Sequence, residues 1–414
     1  MGNMFEWFDL TVYAFFATTI ARHFFPPGNE QAAMLSTAVT FGVAFLMRPL
    51  GAVVFGLIGD RRGRKVALTL SFAIMAVGTA MIAFAPTFAM AGVWATVILV
   101  TGRLLQGFSA SGEIGASLAW LVESSASRGQ GVATGWLNLG VYSALLMGSL
   151  AALAVDGLMS PQDAQSWGWR LPFVFGLLIA PLGLYLRSHM GESPEFVSAA
   201  ATRAPVVSRA ALREAVVGIL KLTALSGFAS PVVYLILVFM PGYATQELGL
   251  PMALPRVSTF VACLVLVALV VPMGRLCDRV GSGSVMVVSC AIGTGLIVPL
   301  AWNLMRSPSL FSLLLLQCTL SACLAAYASS CGPLAVRLFP VSRRALGVGL
   351  GYNLGVIVFG AFAPFVTAWW TAATGHKMVI AWYVFAGGLI SLLVALSLRT
   401  AERLPARAES IGPA

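Results

Sequence analysis

Long apolar runs, separated by short polar stretches, dominate the chain. Runs such as Phe173–Ala180 and Val261–Val271 are continuous rather than alternating. Continuity suits a membrane helix and not the in-out alternation of a barrel strand. Breaks at charged clusters, glycines and prolines predict twelve helical spans, at 3–24, 32–57, 66–86, 92–123, 130–155, 171–188, 216–246, 254–273, 285–304, 309–336, 345–373 and 377–398. A hydrocarbon core about 30 Å thick needs roughly 20 residues per helix. In lipid a helix satisfies its backbone groups internally. The expected fold class is an all-α integral membrane protein. The first run has no basic start or small-residue cleavage site, so a retained helix is expected there.

One polar interruption is substantial. It divides the chain into a six-helix unit at 1–190, a linker at 191–213, a second six-helix unit at 214–400 and a short tail at 401–414. Gly56-Leu-Ile-Gly-Asp-Arg-Arg-Gly-Arg-Lys65 forms a basic knot between two apolar runs in the first unit, and Gly274-Arg-Leu-Cys-Asp-Arg-Val-Gly-Ser-Gly-Ser284 repeats it in degraded form in the second. Their aspartates, Asp60 and Asp278, are 218 positions apart in a chain of 414. That spacing points to a duplicated unit of roughly half the chain.

Composition agrees with the pattern. The chain is 59% hydrophobic and 10% charged, with a mean hydropathy of +0.90; soluble domains carry about 25% charged residues. The net charge of +10 sits largely in loops of one side. With the amino terminus inside, Arg61, Arg62, Arg64, Lys65, Arg128, Arg203, Arg275, Arg279, Arg343 and Arg344 fall in the cytoplasm, against Arg22, Arg170, Arg256, Arg306 and Lys377 outside. Positive loops stay inside, so both termini are expected in the cytoplasm. The basic charge is then a topological signal with some attraction to anionic lipid, and no nucleic-acid partner is expected. The six cysteines lack metal-like spacing and suit small apolar packing. The three histidines form no cluster. No metal, cofactor or enzymatic activity is expected, since no nucleophile with an attendant base and no phosphate-cradling loop stands in a polar domain.

Ionisable residues inside the bilayer are costly unless they meet a partner or a wet cavity. The embedded set is Glu6, Asp9, Arg48, Arg103, Glu113 and, near a span end, Lys221. Glu6, Asp9 and Tyr13 share one helix face, as do Arg103, Gln106 and Glu113. Arg48 is expected to pair with Asp9 or to bind solute. Lys221 can snorkel to the interface.

Several segments resemble the metabolite:proton symporters of the major facilitator superfamily. They are Asn3-Met-Phe-Glu-Trp-Phe-Asp9 with Tyr13, Phe45-Leu-Met-Arg-Pro-Leu-Gly51, Gly59-Asp-Arg-Arg-Gly-Arg-Lys65, Gly102-Arg-Leu-Leu-Gln-Gly-Phe-Ser109 with Gly112-Glu113, Trp167-Gly-Trp-Arg-Leu-Pro-Phe173, and Gly347-Val-Gly-Leu-Gly-Tyr-Asn353 with Gly360 and Pro364. The resemblance spans essentially the whole chain. It implies two pseudo-symmetric six-helix bundles that rock about a central cavity, in a bacterial inner membrane, carrying a small solute with protons. It also implies a lock at the cytoplasmic side made by Asp60, Arg61 and Arg64, completed by Glu123 and Arg128, with Asp278 as the second-half counterpart. Three departures stand out. A polar segment usually precedes the Asn3 motif, so a truncated start is expected. The second knot lacks the basic pair, so an asymmetric gate is expected. The stretch after the last span has no heptads, which counts against the osmosensing proline and betaine branch.

The charges suggest a mechanism. Arg103, aided by Arg48, attracts a solute carboxylate, with Gln106, Tyr13, Tyr234, Tyr327 and Asn353 as hydrogen-bonding partners. Asp9, Glu6 or Glu113 carries the coupling proton, because solute competing for the arginine alters the carboxylate's affinity for a proton. The expected activity is proton-coupled import of a small organic anion such as citrate or a dicarboxylate, by a monomer driven by the proton gradient. A zwitterion importer and a drug or metabolite exporter are the alternatives.

Overall fold

The computed structural model describes residues 2–26, 40, 42–125, 129–189, 209–251 and 253–403. Arg128, most of the linker, Met1 and the end of the tail lie outside the described residues. Twelve principal helices follow the twelve apolar runs: α1 (Gly2–Phe15), α2 (Arg48–Arg62), α3 (Arg64–Ala83), α4 (Val93–Glu123), α5 (Gln130–Leu158), α6 (Leu171–Ser188), α7 (Arg209–Pro231), α8 (Ala253–Val280), α9 (Ser282–Arg306), α10 (Leu310–Arg337), α11 (Arg344–Val356) and α12 (Val379–Arg403). Among the described residues, eleven spans are long and apolar enough to cross a bilayer. The first span supplies the twelfth, its helix broken at Phe16 and resumed as Ala17–Phe24.

Two further spans are interrupted. α7 passes through a wide-turned π segment, Val232–Phe239, into Met240–Gln246. α11 passes through a second, Ile357–Ala361, into Ala363–Thr374. Pro241 and Pro364 follow closely and have no N–H to offer the carbonyls of Leu237 and Gly360 four residues back. The extra residue in each turn is the local response.

The knots also differ from expectation. They are not loops but helix ends: α2 continues through Asp60 to Arg62, and α8 through Asp278 to Val280. Basic side chains suit the last turn of a helix. Each helix then stops at a glycine with positive φ, Gly63 at 108° and Gly281 at 98°, a conformation glycine adopts without steric cost.

Helices pack in two equivalent sets. In the first half α3 lies against α4 and α6, α1 against α5, and α2 against α4; in the second, α9 lies against α10 and α12, α7 against α11, and α8 against α10. The halves meet where α5 crosses α8 and α2 crosses α11. Leu158, Leu178, Phe311 and Leu393 stand exposed on the outside, as suits a multi-pass protein solvated by lipid tails. Both bundles surround a central space, and the first alone buries charged side chains among the described residues.

Candidate functional site

Asp9 is fully buried on α1. Its Oδ2 accepts hydrogen bonds from the Thr79 hydroxyl of α3 and from Gln106 Nε2 of α4, the latter at 2.8 Å. Gln106 also donates to Thr79 Oγ1 at 3.0 Å and accepts from Arg103 Nη1 at 2.8 Å. The Arg103 guanidinium lies 4.0 Å over the Tyr13 ring, a cation–π arrangement that strengthens away from water. One helix spacing explains the assembly. Asp9 and Tyr13 are four residues apart, as Arg103 and Gln106 are three apart, so the two helices face each other with one pair each.

Glu6 departs from that face and corrects the pairing expected for Arg48. Arg48 Nη2 of α2 donates to Glu6 Oε1 at 3.2 Å, not to Asp9, and its guanidinium lies 4.5 Å over the Phe45 ring. Arg103 lies within electrostatic reach of both Asp9 and Arg48. The buried charges therefore form one coupled group. Glu113 belongs to α4, but its side chain lies outside the described ones.

Beside this group is a cavity of about 120 Å³ between the bundles. Trp7, Tyr142, Tyr234, Tyr327 and Tyr352 give it aromatic walls, and Thr134, Asn138, Ser226 and Ser230 supply polar groups. Among the described residues, no charged side chain lines it. Of the expected solute ligands, Tyr234 and Tyr327 are there, although the Tyr327 hydroxyl is committed to Leu225 O at 2.6 Å. Arg103, Arg48, Gln106 and Tyr13 are in the charge group instead. Asn353 is elsewhere: its Nδ2 donates to Gly349 O at 2.7 Å and reaches Ser111 O at 3.5 Å, where α11 crosses α4. Thr79, Tyr142 and Tyr352 were not expected. Tyr352 adjoins Asn353 in its motif, and Trp7 sits between Glu6 and Asp9; both signals were in the sequence.

At the Asp60 end the halves are bolted together. Asp60 Oδ2 accepts from Leu346 N at the start of α11, at 3.2 Å. Asp278 accepts from Gly131 N at 2.8 Å and Val132 N at 3.0 Å, at the start of α5. Each knot carboxylate thus caps the amino end of a helix from the other half, where free N–H groups and the helix dipole favour an anion. The two aspartates make equivalent contacts, so at these carboxylates the two knots do not show the difference that the missing basic pair led one to expect. Glu123 Oε1 pairs across the halves with Arg344 Nη1 at 3.3 Å. Arg61 is exposed at the end of α2, and Arg64 opens α3. Gly131 and Gly274 let the two backbones touch: a Cβ on Gly274 would fall 2.5 Å from Gly131 O.

Two equivalent bundles around a central cavity, bolted at one end, define a membrane transporter. The chain belongs to the sugar (and other) transporter family, which matches residues 1–214, within the major facilitator superfamily. It is 31% identical over 395 residues to the citrate-proton symporter of Klebsiella pneumoniae, covering 95% of this chain and 88% of that protein. It is 33% identical over 416 residues to the shikimate transporter of Escherichia coli (strain K12), covering 97% and 93%. A Staphylococcus aureus (strain MSSA476) protein provisionally named a proline/betaine transporter is 30% identical over 398 residues, covering 95% and 85%. Among solved structures, a proton:xylose symporter bound to 6-bromo-6-deoxy-D-glucose superposes with a TM-score of 0.79 at 16% identity, covering 96% of this chain and 93% of that one. That likeness establishes the shared fold.

Proposed function

We propose that the protein imports a small organic carboxylate together with protons, by alternating access, in a bacterial inner membrane with both termini in the cytoplasm. The observation that carries this reading is the fully buried Asp9, linked through Gln106 to Arg103 beside an uncharged cavity. A buried carboxylate with an arginine in reach is a group whose protonation responds to any anion that competes for the arginine. Proton and anion then favour each other's binding, and the linkage is reciprocal. The Asp60 and Asp278 contacts hold the cytoplasmic end shut in this conformation, and their release opens the other half of the cycle. The solute and proton are the partners of a single chain, and the proton gradient is the driving force.

A second reading has an observation of its own. The aromatic walls of the cavity suit a quaternary ammonium or other zwitterion, which binds over ring faces. Proteoliposomes holding the purified protein separate the two. Citrate, shikimate, proline and glycine betaine are added in turn while proton entry is followed. Proton entry with an acid and none with proline or betaine is the expected result. The reverse pattern replaces the first reading with the second, and silence with all four removes both.

A further inference from the structure

The buried Glu6–Arg48 pair lies behind one wall of the cavity. Arg48 is 2% exposed, and only its Nη2 is engaged; Nε and Nη1 have no hydrogen-bond partner. Leaving a buried donor unmet is costly, more so when it is charged, so such a group calls for an explanation. The partition between Arg48 and the cavity is Tyr234. Its ring lines the cavity and packs edge-on against Phe45, with centroids 5.6 Å apart, and Phe45 carries Arg48 on its face. Its hydroxyl is also buried without a partner, within electrostatic reach of Arg48 and Glu6. Trp7, next to Glu6, lines the same wall, 6.2 Å from Tyr234 between ring centroids, and its Nε1 is unmet as well.

The partition stands on yielding ground. Tyr234 belongs to the π segment Val232–Phe239, and the second π segment, Ile357–Ala361, packs against it. Gly360 of the latter backs the tyrosine ring, so that a Cβ there would fall 2.6 Å from Tyr234 Cδ2. π segments inside helices occur often at functional sites. Here two of them meet at the residue that separates solute space from an arginine with idle donors.

We infer that Arg48 is the receptor for the solute's carboxylate, that Tyr234 is the swinging partition that admits it, and that Glu6 is the internal anion it displaces. The solute class is a monocarboxylate with a ring-shaped body: the ring stacks on the aromatic walls, and the single carboxylate replaces Glu6 on Arg48. Glu6, deprived of its cation, takes up one proton, so charge on the site is conserved as the anion enters; this proton is additional to the one Asp9 exchanges, and the carboxylate on Arg48 reaches Asp9 through Arg103, which lies within electrostatic reach of both. A tricarboxylate fits poorly, because its remaining charges would lie in a cavity whose described lining carries no charge. This inference rests on the carboxylate reading above and narrows it.

The test is counterflow of labelled shikimate and labelled benzoate, with citrate as competitor, by full-length protein in proteoliposomes. Glu6→Gln removes the competing anion and is expected to lower the half-saturation concentration about tenfold, while weakening the acceleration by an inward proton gradient that Asp9 still supports. Arg48→Gln is expected to raise it more than about tenfold, and the double variant to behave like Arg48→Gln. Gly360→Ala, which presses on the partition, is expected to slow exchange at unchanged half-saturation. A merely structural ion pair would not give tighter binding on losing one partner. If Glu6→Gln does not fold, Glu6→Asp, which draws the carboxylate back from Arg48, is expected to shift affinity in the same direction. Unchanged or weaker binding in the folded Glu6 variant, or citrate exchanging better than both monocarboxylates, overturns the inference and leaves the carboxylate reading standing. Proton-coupled uptake of betaine with none of any acid overturns both.

Discussion

The two bundles share a packing plan and divide the chemistry. Corresponding helices meet in corresponding pairs, yet the charged side chains buried among the described residues, Glu6, Asp9, Arg48, Asp60, Arg103 and Glu123, all belong to the first bundle. The second answers with neutral groups. Gln106 of α4 ties Asp9 and Thr79 to Arg103, whereas Gln317 of α10 donates to Ile236 O at 2.6 Å and to Thr259 Oγ1 at 3.0 Å, with Ser258 donating to its Oε1. A glutamine on corresponding helices thus serves a charge network in one half and a backbone carbonyl in the other. Duplication supplies the scaffold; embedded charge, costly in lipid, stands in the bundle to which the proposed function assigns the proton. Among the described residues, the knots keep a carboxylate in both copies, at Asp60 and Asp278.

The largest test of this division is Asp9→Asn. The amide keeps the shape and can still meet Gln106 and Thr79, but it cannot exchange a proton. Uptake driven by an inward proton gradient is expected to fall at least about 100-fold, the scale seen when a proton-transferring carboxyl is removed, while counterflow at equal pH survives. Wild-type gradient-driven rates in Asp9→Asn would end the assignment of the proton to this residue.

The gate gives the next largest effect, and it tests symmetry rather than division. Hydrogen bonds to a charged group contribute about 1.5–3 kcal/mol, so Asp278→Ala and Asp60→Ala should each loosen the closed end by about 2 kcal/mol, a shift of roughly 30-fold in population. Cys331 lines the cavity. In a background that keeps this cysteine alone, its labelling by a membrane-impermeant maleimide from the cytoplasmic face should speed up in both variants. An effect from Asp60→Ala with none from Asp278→Ala would restore the asymmetric gate that the degraded second knot suggested.

Much of this architecture was legible in the sequence because lipid leaves few choices. Continuous apolar runs fixed the twelve spans, and the motif order identified the superfamily. Helical spacing put Asp9 with Tyr13 on one face and Arg103 with Gln106 on another, and the structure shows that the two faces meet. What escaped has physical reasons. Period 3.6 puts Glu6 near Asp9 but cannot say that α2 approaches from Glu6's side, so the partner of Arg48 was missed. Thr79 carries no charge and sits within an ordinary apolar run. The π segments arise where prolines leave carbonyls four residues back without an N–H, a local response that the apolar pattern does not register. Asp278 kept its role because a cap needs only a carboxylate and a helix amino end, neither of which depends on the lost basic neighbours.

The neutral glutamine supplies the smallest and most discriminating test. Gln317→Leu removes the donor to Ile236 O and Thr259 and leaves their buried acceptors unmet, which should lower stability by about 1–2 kcal/mol with the solute's half-saturation and the proton dependence of uptake unchanged. Gln106→Leu makes the same chemical change but cuts Arg103 from Asp9, so it should uncouple solute uptake from the proton gradient. Thermal unfolding in detergent measures the first quantity and pH-jump uptake in proteoliposomes the second. If Gln317→Leu altered the proton dependence as strongly as Gln106→Leu, the second bundle would share the coupling machinery, and the division of labour drawn from the buried charges would not hold.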